Sequence, residues 1–238
     1  MVYKKDKKGS HVGIVISFVM FIFFVLFFYV IIQPKITLEN KKIMADSLGS
    51  QIKYNLSKNL TEISILVDNT PPIPSCIKIN NLEIGTRVSA RGINNGQILP
   101  ITKFQNDLYV TLNGNLFLHL YSSDVFPEVP DGDQNPLCSS LYNIGLIKKT
   151  DEIFESEILR FINDYGIRYP NLKSQMKLPE ENDFALDFIY ENKTIVFSQN
   201  ALVMPPSGAV SIYVVEIPIK YLSNDLERKA GILRVKVW

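Results

Sequence analysis

Val12–Ile32, VGIVISFVMFIFFVLFFYVII, is the stretch on which the reading of this chain turns. Its twenty-one residues contain no charge, no proline and no amide side chain. At about 1.5 Å of rise per residue, a helix of that length matches the roughly 30 Å hydrocarbon thickness of a bilayer. Lipid offers the backbone no hydrogen-bond partner, and a helix satisfies every N–H and C=O internally. The β-branched and aromatic residues of the run are mediocre helix formers in water, by about a few tenths of a kcal/mol each. Inside a bilayer the obligatory hydrogen bonds outweigh that deficit. A cleaved secretory signal would have an apolar core of only about 7–15 residues, followed by a small-residue cleavage site. Ile31-Ile32-Gln33-Pro34 is not such a site. A buried core helix is also a poor fit, since no polar face interrupts the run. The stretch predicts a retained single-pass anchor, with residues 12–33 in the membrane.

The flanks orient it. Lys4, Lys5, Lys7 and Lys8 precede the run against a single Asp6, while Lys35, Lys41 and Lys42 follow it, interleaved with Glu39. The denser cluster lies at the amino end, within the window weighed by the positive-inside rule. Residues 1–11 therefore read as a cytoplasmic basic tail, and the carboxyl-terminal body as extracellular at the cell membrane. Tyr29 suits the outer headgroup boundary.

The body from Lys35 to Trp238 is long enough for one large domain or two small ones. A net charge of +1, from 25 basic and 24 acidic residues, gives no reason to expect nucleic acid. The lipid bilayer is the first partner implied. Cys76 and Cys138 both fall in the body. In an oxidising compartment they are free to pair, and otherwise they read as two buried thiols. A bridge would close a loop of roughly sixty residues, worth about 3–4 kcal/mol by loop-closure entropy.

Pro34 follows the anchor and predicts a kink or break there. Beyond it, Ile36, Ile43, Leu48, Ile52, Leu56 and Leu60 suggest an apolar stripe on a stalk helix, with Gly49 weakening its middle by about 1 kcal/mol. That helix packs on its own body or pairs with protein partners, including further copies of the chain. Residues 34–70 thus hold the stalk helix and a first strand, Thr61–Val67, ahead of a proline-rich linker at 68–74. Residues 71–147 read as a small β subdomain, sandwich-like or barrel-like. Its expected strands are Cys76–Ile79, Thr86–Arg91, Asp107–Leu112 and Leu116–Tyr121. A turn is expected at Asn94-Asn95-Gly96, and a hairpin at Asn113-Gly114 joins the last two strands. Leu141–Ile147 is a further strand.

Residues 148–238 read as a helix plus an antiparallel sheet. Asp151–Asn163 has helical apolar spacing, an amino cap at Thr150 or Asp151, and Gly166 at or just past its end. A short second turn at 171–177 follows. Phe184–Tyr190, Thr194–Phe197, Val210–Tyr221 and Gly231–Trp238 supply the strands, and Pro218 places its strand at an edge or a bulge. The fold class is α+β, with this sheet burying one face against the stalk and the second helix.

Lys8-Gly9-Ser10 stands directly before the apolar run. A basic residue and Gly in that position resembles the class III signal of archaeal type IV pilins and archaellins. That resemblance implies cleavage after Gly9 by a membrane peptidase, with the helix from Ser10 packing into a filament core. Many members carry Glu five residues past the cut, where this chain has Ile14. More broadly, KKGSHVGIVISF, DFALDFIYEN and VVEIPIKY…GILRVKVW resemble a group of uncharacterised archaeal single-pass membrane proteins across most of the chain. The group implies a fold and no activity. Membrane helix, continuing helix and sheet is likewise the plan of pilins and pseudopilins.

Residues that carry chemistry are sparse. His11 sits at the membrane edge and His119 in an expected strand, with no HxxxH or CxxC companion for zinc. Neither GxSxG nor a phosphate-cradling glycine loop occurs. Asp124, Glu128, Asp131 and Asp133 cluster around Gly132 between Ser122 and Pro136, without the spacing of a helix–loop–helix calcium site. The expectation is no catalytic residue, no metal site and no cofactor. Three N-x-[ST] sequons, at Asn55, Asn59 and Asn192, are open to glycosylation if the body lies outside. Two functional classes follow: a membrane-anchored surface protein of structural or interaction role, and a pilin-like or pseudopilin-like subunit of an archaeal filament or secretion assembly. A membrane-tethered hydrolase would require converging ionisable groups in a pocket.

Overall fold

The computed structural model describes residues 10–69, 74–80, 85–133, 137–197 and 212–238, with backbone alone at 10–11 and 32–38. The chain is mixed α+β. Helix α1 (Ser10–Leu56) runs 47 residues. It passes into β1 (Ser57–Val67) with no residue between. β2 (Cys76–Ile79), β3 (Val88–Gly92), β4 (Ile98–Leu99), β5 (Ile101–Phe104), β6 (Asp107–Thr111), β7 (Phe117–Ser122) and β8 (Tyr142–Phe154) follow. Helix α2 (Glu155–Gln175) leads to β9 (Phe184–Tyr190), β10 (Ile195–Phe197), β11 (Tyr213–Leu222) and β12 (Arg228–Val237).

The break expected at Pro34 is absent, because α1 stays helical through it. A proline inside a helix forfeits one hydrogen bond and crowds the carbonyl four residues back, a cost of about 3 kcal/mol. Here the helix is held on both sides of that cost, by an apolar run behind and by packing ahead. Ala45, Leu48, Ile52 and Leu56 are each no more than 2 % exposed. Ile43 does not join that stripe and is 62 % exposed. At about 100° per residue, the five-residue step from Ile43 to Leu48 turns to another face. Leu60 belongs to β1 rather than to the helix. Gly49, read from sequence as a weak point, lets α1 approach the sheet: a Cβ there would collide with Cδ1 of Ile217.

Nine strands form one sheet in the order β10-β9-β12-β11-β8-β1-β7-β3-β4, and β2-β6-β5 form a second. Among the described residues the strand-to-strand ladders are antiparallel except β8–β11, which run parallel and pair at Ile153–Tyr221 and Phe154–Leu222. The strands of residues 71–147 and 148–238 therefore share the large sheet, and β8 spans the division between those ranges. Pro218 lies in the stretch of β11 that has left β8, so its missing N–H leaves no gap in a ladder on that side.

The hairpin expected at Asn113-Gly114 is a crossing between sheets instead. β6 pairs with β2 and β5, whereas β7 pairs with β1 and β3. Asn113 (φ 47°) and Gly114 (φ 80°) make the left-handed turn, as their types predict. Both flanking strands alternate toward one core, where Val110 meets Leu118 and Leu120. Facing one another across two sheets buries those rows more fully than lying side by side in one. β6 takes its hairpin with β5, around Gln105 (φ 55°) and Asn106.

A second correction concerns α2. Thr150–Phe154 is strand, not helix, and the helix begins at Glu155 after an extended Phe154 that makes no side-chain cap. Pairing with β1, from Thr150↔Leu60 to Ile153↔Ser57, overrides the local helical spacing. The helix also continues past Gly166 to Gln175, with a kink at Arg168 two residues before Pro170.

Among the described residues three apolar cores result. In the first, Leu48, Ile52 and Leu56 of α1 and Ile158, Ile162 and Tyr165 of α2 cover Phe188, Leu233 and Val235 of the sheet. The second lies between the two sheets. A small third core under the 222–226 turn joins Leu60, Tyr121, Phe154, Leu222 and Leu226.

Candidate functional site

Each end of α1 meets a different environment. Val12–Ile31 has a mean hydropathy of 3.1 and is 0 % buried, and is long and apolar enough to cross a membrane. Phe24 and Phe28 touch along this face, with ring centroids 4.6 Å apart. Fourteen residues past Ile31, Ala45 starts the part of the same helix that seats on β11 and β12. Beside that seat, Ile43, Met44, Met176 and Leu178 line an open groove of about 430 Å³.

Lys8 and Gly9 lie outside the described residues, and Ser10 is the first residue described, already helical. Cys76 and Cys138 form a disulfide across 62 residues. It ties β2 to the segment before β8, where Lys78 N donates to Ser139 O at 2.8 Å. The sequon asparagines fall in three different settings, all exposed: Asn55 in the last turn of α1, Asn59 within β1, and Asn192 in the β9–β10 turn.

The acidic residues between Ser122 and Pro136 do not gather around one point: two of them share a lysine. Glu128 and Asp131 both face Lys103 Nζ, at 2.9 and 3.6 Å. That pairing holds the Glu128 carboxyl below its ordinary range. Among the described residues, no group of three or more His, Cys, Asp or Glu side chains is placed to hold a metal ion.

His119 stands on the outer face of β7, opposite Ser64 of β1. Ser64 Oγ lies 3.3 Å from His119 Nδ1, and Glu62 Oε1 lies 3.5 Å from the same nitrogen. A serine relay needs hydroxyl and carboxylate on opposite imidazole nitrogens, so that the ring passes a proton between them. Here both converge on one, and the three residues form a surface cluster without that path.

Glu62 has a stronger partner in Arg228, whose Nη2 donates to Oε2 at 2.8 Å. Arg228 also donates to Glu152 at 3.3 Å. Burial works to raise the Glu62 carboxyl, but the Arg228 hydrogen bond and charge, with His119, hold it below its ordinary range. Burial and the adjacent Glu62 push the Tyr121 phenol up to about 12. A second cluster joins α2 to β9. Tyr169 Oη and Lys173 Nζ donate to Asp183 Oδ1 at 2.7 and 2.8 Å, and Tyr165 Oη donates to Phe184 O at 2.6 Å. No local pattern in the sequence points to either cluster. Glu62 and Arg228 are 166 residues apart and meet only through strand order.

These clusters are pairs that satisfy one another, and their geometry ties elements together. The feature that reaches beyond the body is α1. Compared with protein families, characterised proteins and solved structures, the chain matches none.

Proposed function

We propose that this chain is a membrane-anchored extracytoplasmic protein of structural or interaction role, without catalytic activity. The carrying observation is that the exposed apolar run and the body-packed stripe belong to one uninterrupted helix. Such a helix fixes the body at a set height and angle above the bilayer, which suits a protein that presents a surface. The amino end lies in the cytoplasm and the body outside. Lysine density ahead of the run supports that orientation, and so does the Cys76–Cys138 bridge, since disulfides persist in oxidising compartments.

The same helix favours a second reading, a pilin-like or pseudopilin-like subunit of an archaeal filament or secretion assembly, processed after Gly9. A rod that projects its apolar half and seats its amphipathic half on antiparallel strands has the form such assembly needs. Further copies would then pack against Val12–Ile31 in place of lipid.

The amino-terminal sequence and intact mass of the protein from its native membranes separate the two. A chain beginning at Met1 or Val2 supports the anchored surface protein. A chain beginning at Ser10 supports the filament subunit. A chain beginning beyond Pro34 would sink both.

A further inference from the structure

We propose that Asn192, alone of the three sequons, carries an N-linked oligosaccharide, and that this glycan covers the β10 edge of the large sheet. The inference rests on the extracytoplasmic placement of the body proposed above. A glycosyltransferase must reach the asparagine Nδ2, engage the hydroxyl two residues on, and fit the backbone between them into its own groove. The three sequons differ in what they leave open.

At Asn55 the backbone is helical, the middle residue Leu56 is 2 % exposed, and Ser57 Oγ donates to Lys53 O at 3.1 Å. At Asn59 the backbone lies within β1, paired with β8. Asn59 faces Asp151, Leu60 is 1 % exposed, and Thr61 is paired on both sides, with Ser122 and Lys149. Modifying either would require pulling a core residue out of place.

Asn192-Lys193-Thr194 buries none of its residues, and its backbone is tied only at the turn's base, where Lys193 N donates to Tyr190 O and Tyr190 N donates to Thr194 O, each at 2.9 Å. All three residues are exposed, and Lys193 turns through φ 66°. Asn192 Oδ1 accepts a hydrogen bond from Thr194 N at 2.9 Å, which bends the tripeptide into a compact turn. With Oδ1 so engaged, Nδ2 is the amide atom left to the transferase.

The co-reactant is a polyprenyl-phosphate-linked oligosaccharide. Its sugar C1–O(phosphate) bond breaks, and the lipid phosphate leaves with the electron pair. The C1–Nδ2 bond forms, and Nδ2 gives up one proton.

The position also suggests what the glycan does. Among the described residues β10 is the terminal strand of the nine-stranded sheet, and it is three residues long. Ile195 and Phe197 on it are 46 % and 57 % exposed. An exposed apolar edge invites pairing with another chain, and bulky polar cover blocks it.

The test uses full-length protein from its native membranes. Peptide masses before and after chemical deglycosylation read occupancy, and protease added to intact cells reads the side of the body. The expected result is an accessible body, saccharide mass on the Asn192 peptide in most molecules, and bare Asn55 and Asn59. Both Asn192→Gln and Thr194→Ala should lose that mass and aggregate more readily. An accessible body with bare Asn192, or equal occupancy at Asn55 or Asn59, would overturn the assignment. Unchanged aggregation in both variants would overturn the covering role. A body protected from protease would overturn the extracytoplasmic placement, and this inference with it.

Discussion

The two halves of α1 share one backbone and obey different rules. From Val12 to Ile31 the helix is apolar on every side and touches nothing in the body. From Ala45 to Leu56 it is apolar along one stripe, while Lys53, Tyr54 and Asn55 stay exposed. An all-round apolar surface is stable only where the surroundings are apolar all round. A stripe is stable where one side meets protein and the other meets water. Two glycines show how far the halves differ. A methyl added at Gly13 would meet nothing within 4 Å, whereas at Gly49 it would strike Ile217. The first half is shaped for any apolar neighbour, and the second for one partner.

Placing a carboxylate in each half tests this contrast most severely. Ile52→Asp buries an unpaired charge at a position 0 % exposed. It should cost the body more than about 4 kcal/mol, read as loss of the urea-unfolding transition of the full chain in detergent micelles. Ile16→Asp should leave that transition in place and reduce membrane insertion instead, by about 2.5–3.5 kcal/mol. Equal damage to the body from both variants would break the contrast.

The disulfide comes next, because it acts on the second core and not on α1. Replacing Cys76 and Cys138 together by Ser releases a loop of 62 residues. The expected loss is about 4 kcal/mol, seen as a lower urea midpoint that reductant no longer shifts. If reductant leaves the parent protein unaltered, the bridge contributes nothing to the body.

The glycine pair sharpens the comparison at smaller scale. Gly49→Ala gains about 1 kcal/mol of helix propensity but must displace Ile217, so a net loss of about 1–2 kcal/mol is expected. Gly13→Ala should leave the midpoint unchanged. A stabilised Gly49→Ala protein would mean that α1 sits farther from β11 than described.

Parts of this architecture can be read from residues alone. Alternation in Phe184–Tyr190 and Cys76–Ile79 translates directly into β9 and β2, because a strand's period is local. The apolar run at 12–32 is equally direct. What resists reading is set by distant partners. Thr150–Phe154 has helical spacing, yet β1 claims it as strand. Asn113-Gly114 specifies a tight left-handed turn, but nothing in the dipeptide says whether the next strand pairs with the last or crosses to another sheet. Pro34 predicts a break by its own chemistry, and packing eleven or more residues away keeps the helix whole. For the candidate sites the motifs are legible and their settings are not. Three sequons look alike in sequence, and only the fold separates one in a turn from one in a strand.

The smallest expected effect is acid sensitivity, and it should be confined to the body. Glu62 and Asp183 are carboxyls held below their ordinary values of 4.5 and 3.8. Burial opposes this at both. Arg228 and His119 win at Glu62, and Lys173 and Tyr169 win at Asp183. A carboxyl with a lowered folded pKa binds fewer protons folded than unfolded. Its stabilisation is complete above the unfolded value and is lost as pH falls through the folded one. Tm should therefore hold from neutral pH to about 5 and decline as pH falls further, through the ordinary carboxyl values and below them. The Glu62 side chain is 13 % exposed and that of Asp183 33 %. Solvent reaches the Asp183 carboxyl more than that of Glu62, so Glu62→Gln should flatten the acid limb further than Asp183→Asn. Both ties lie in the body: Glu62–Arg228 links β1 to the start of β12, and Asp183 links α2 to β9. Neither touches Val12–Ile31. Acid should thus loosen the seat of α1 while its apolar half stays helical, measured as a Tm shift in micelles with helical circular dichroism retained. An acid limb that survives both substitutions would assign the sensitivity to other carboxyls. Loss of helix from the apolar half in step with the body would join the two halves into one cooperative unit.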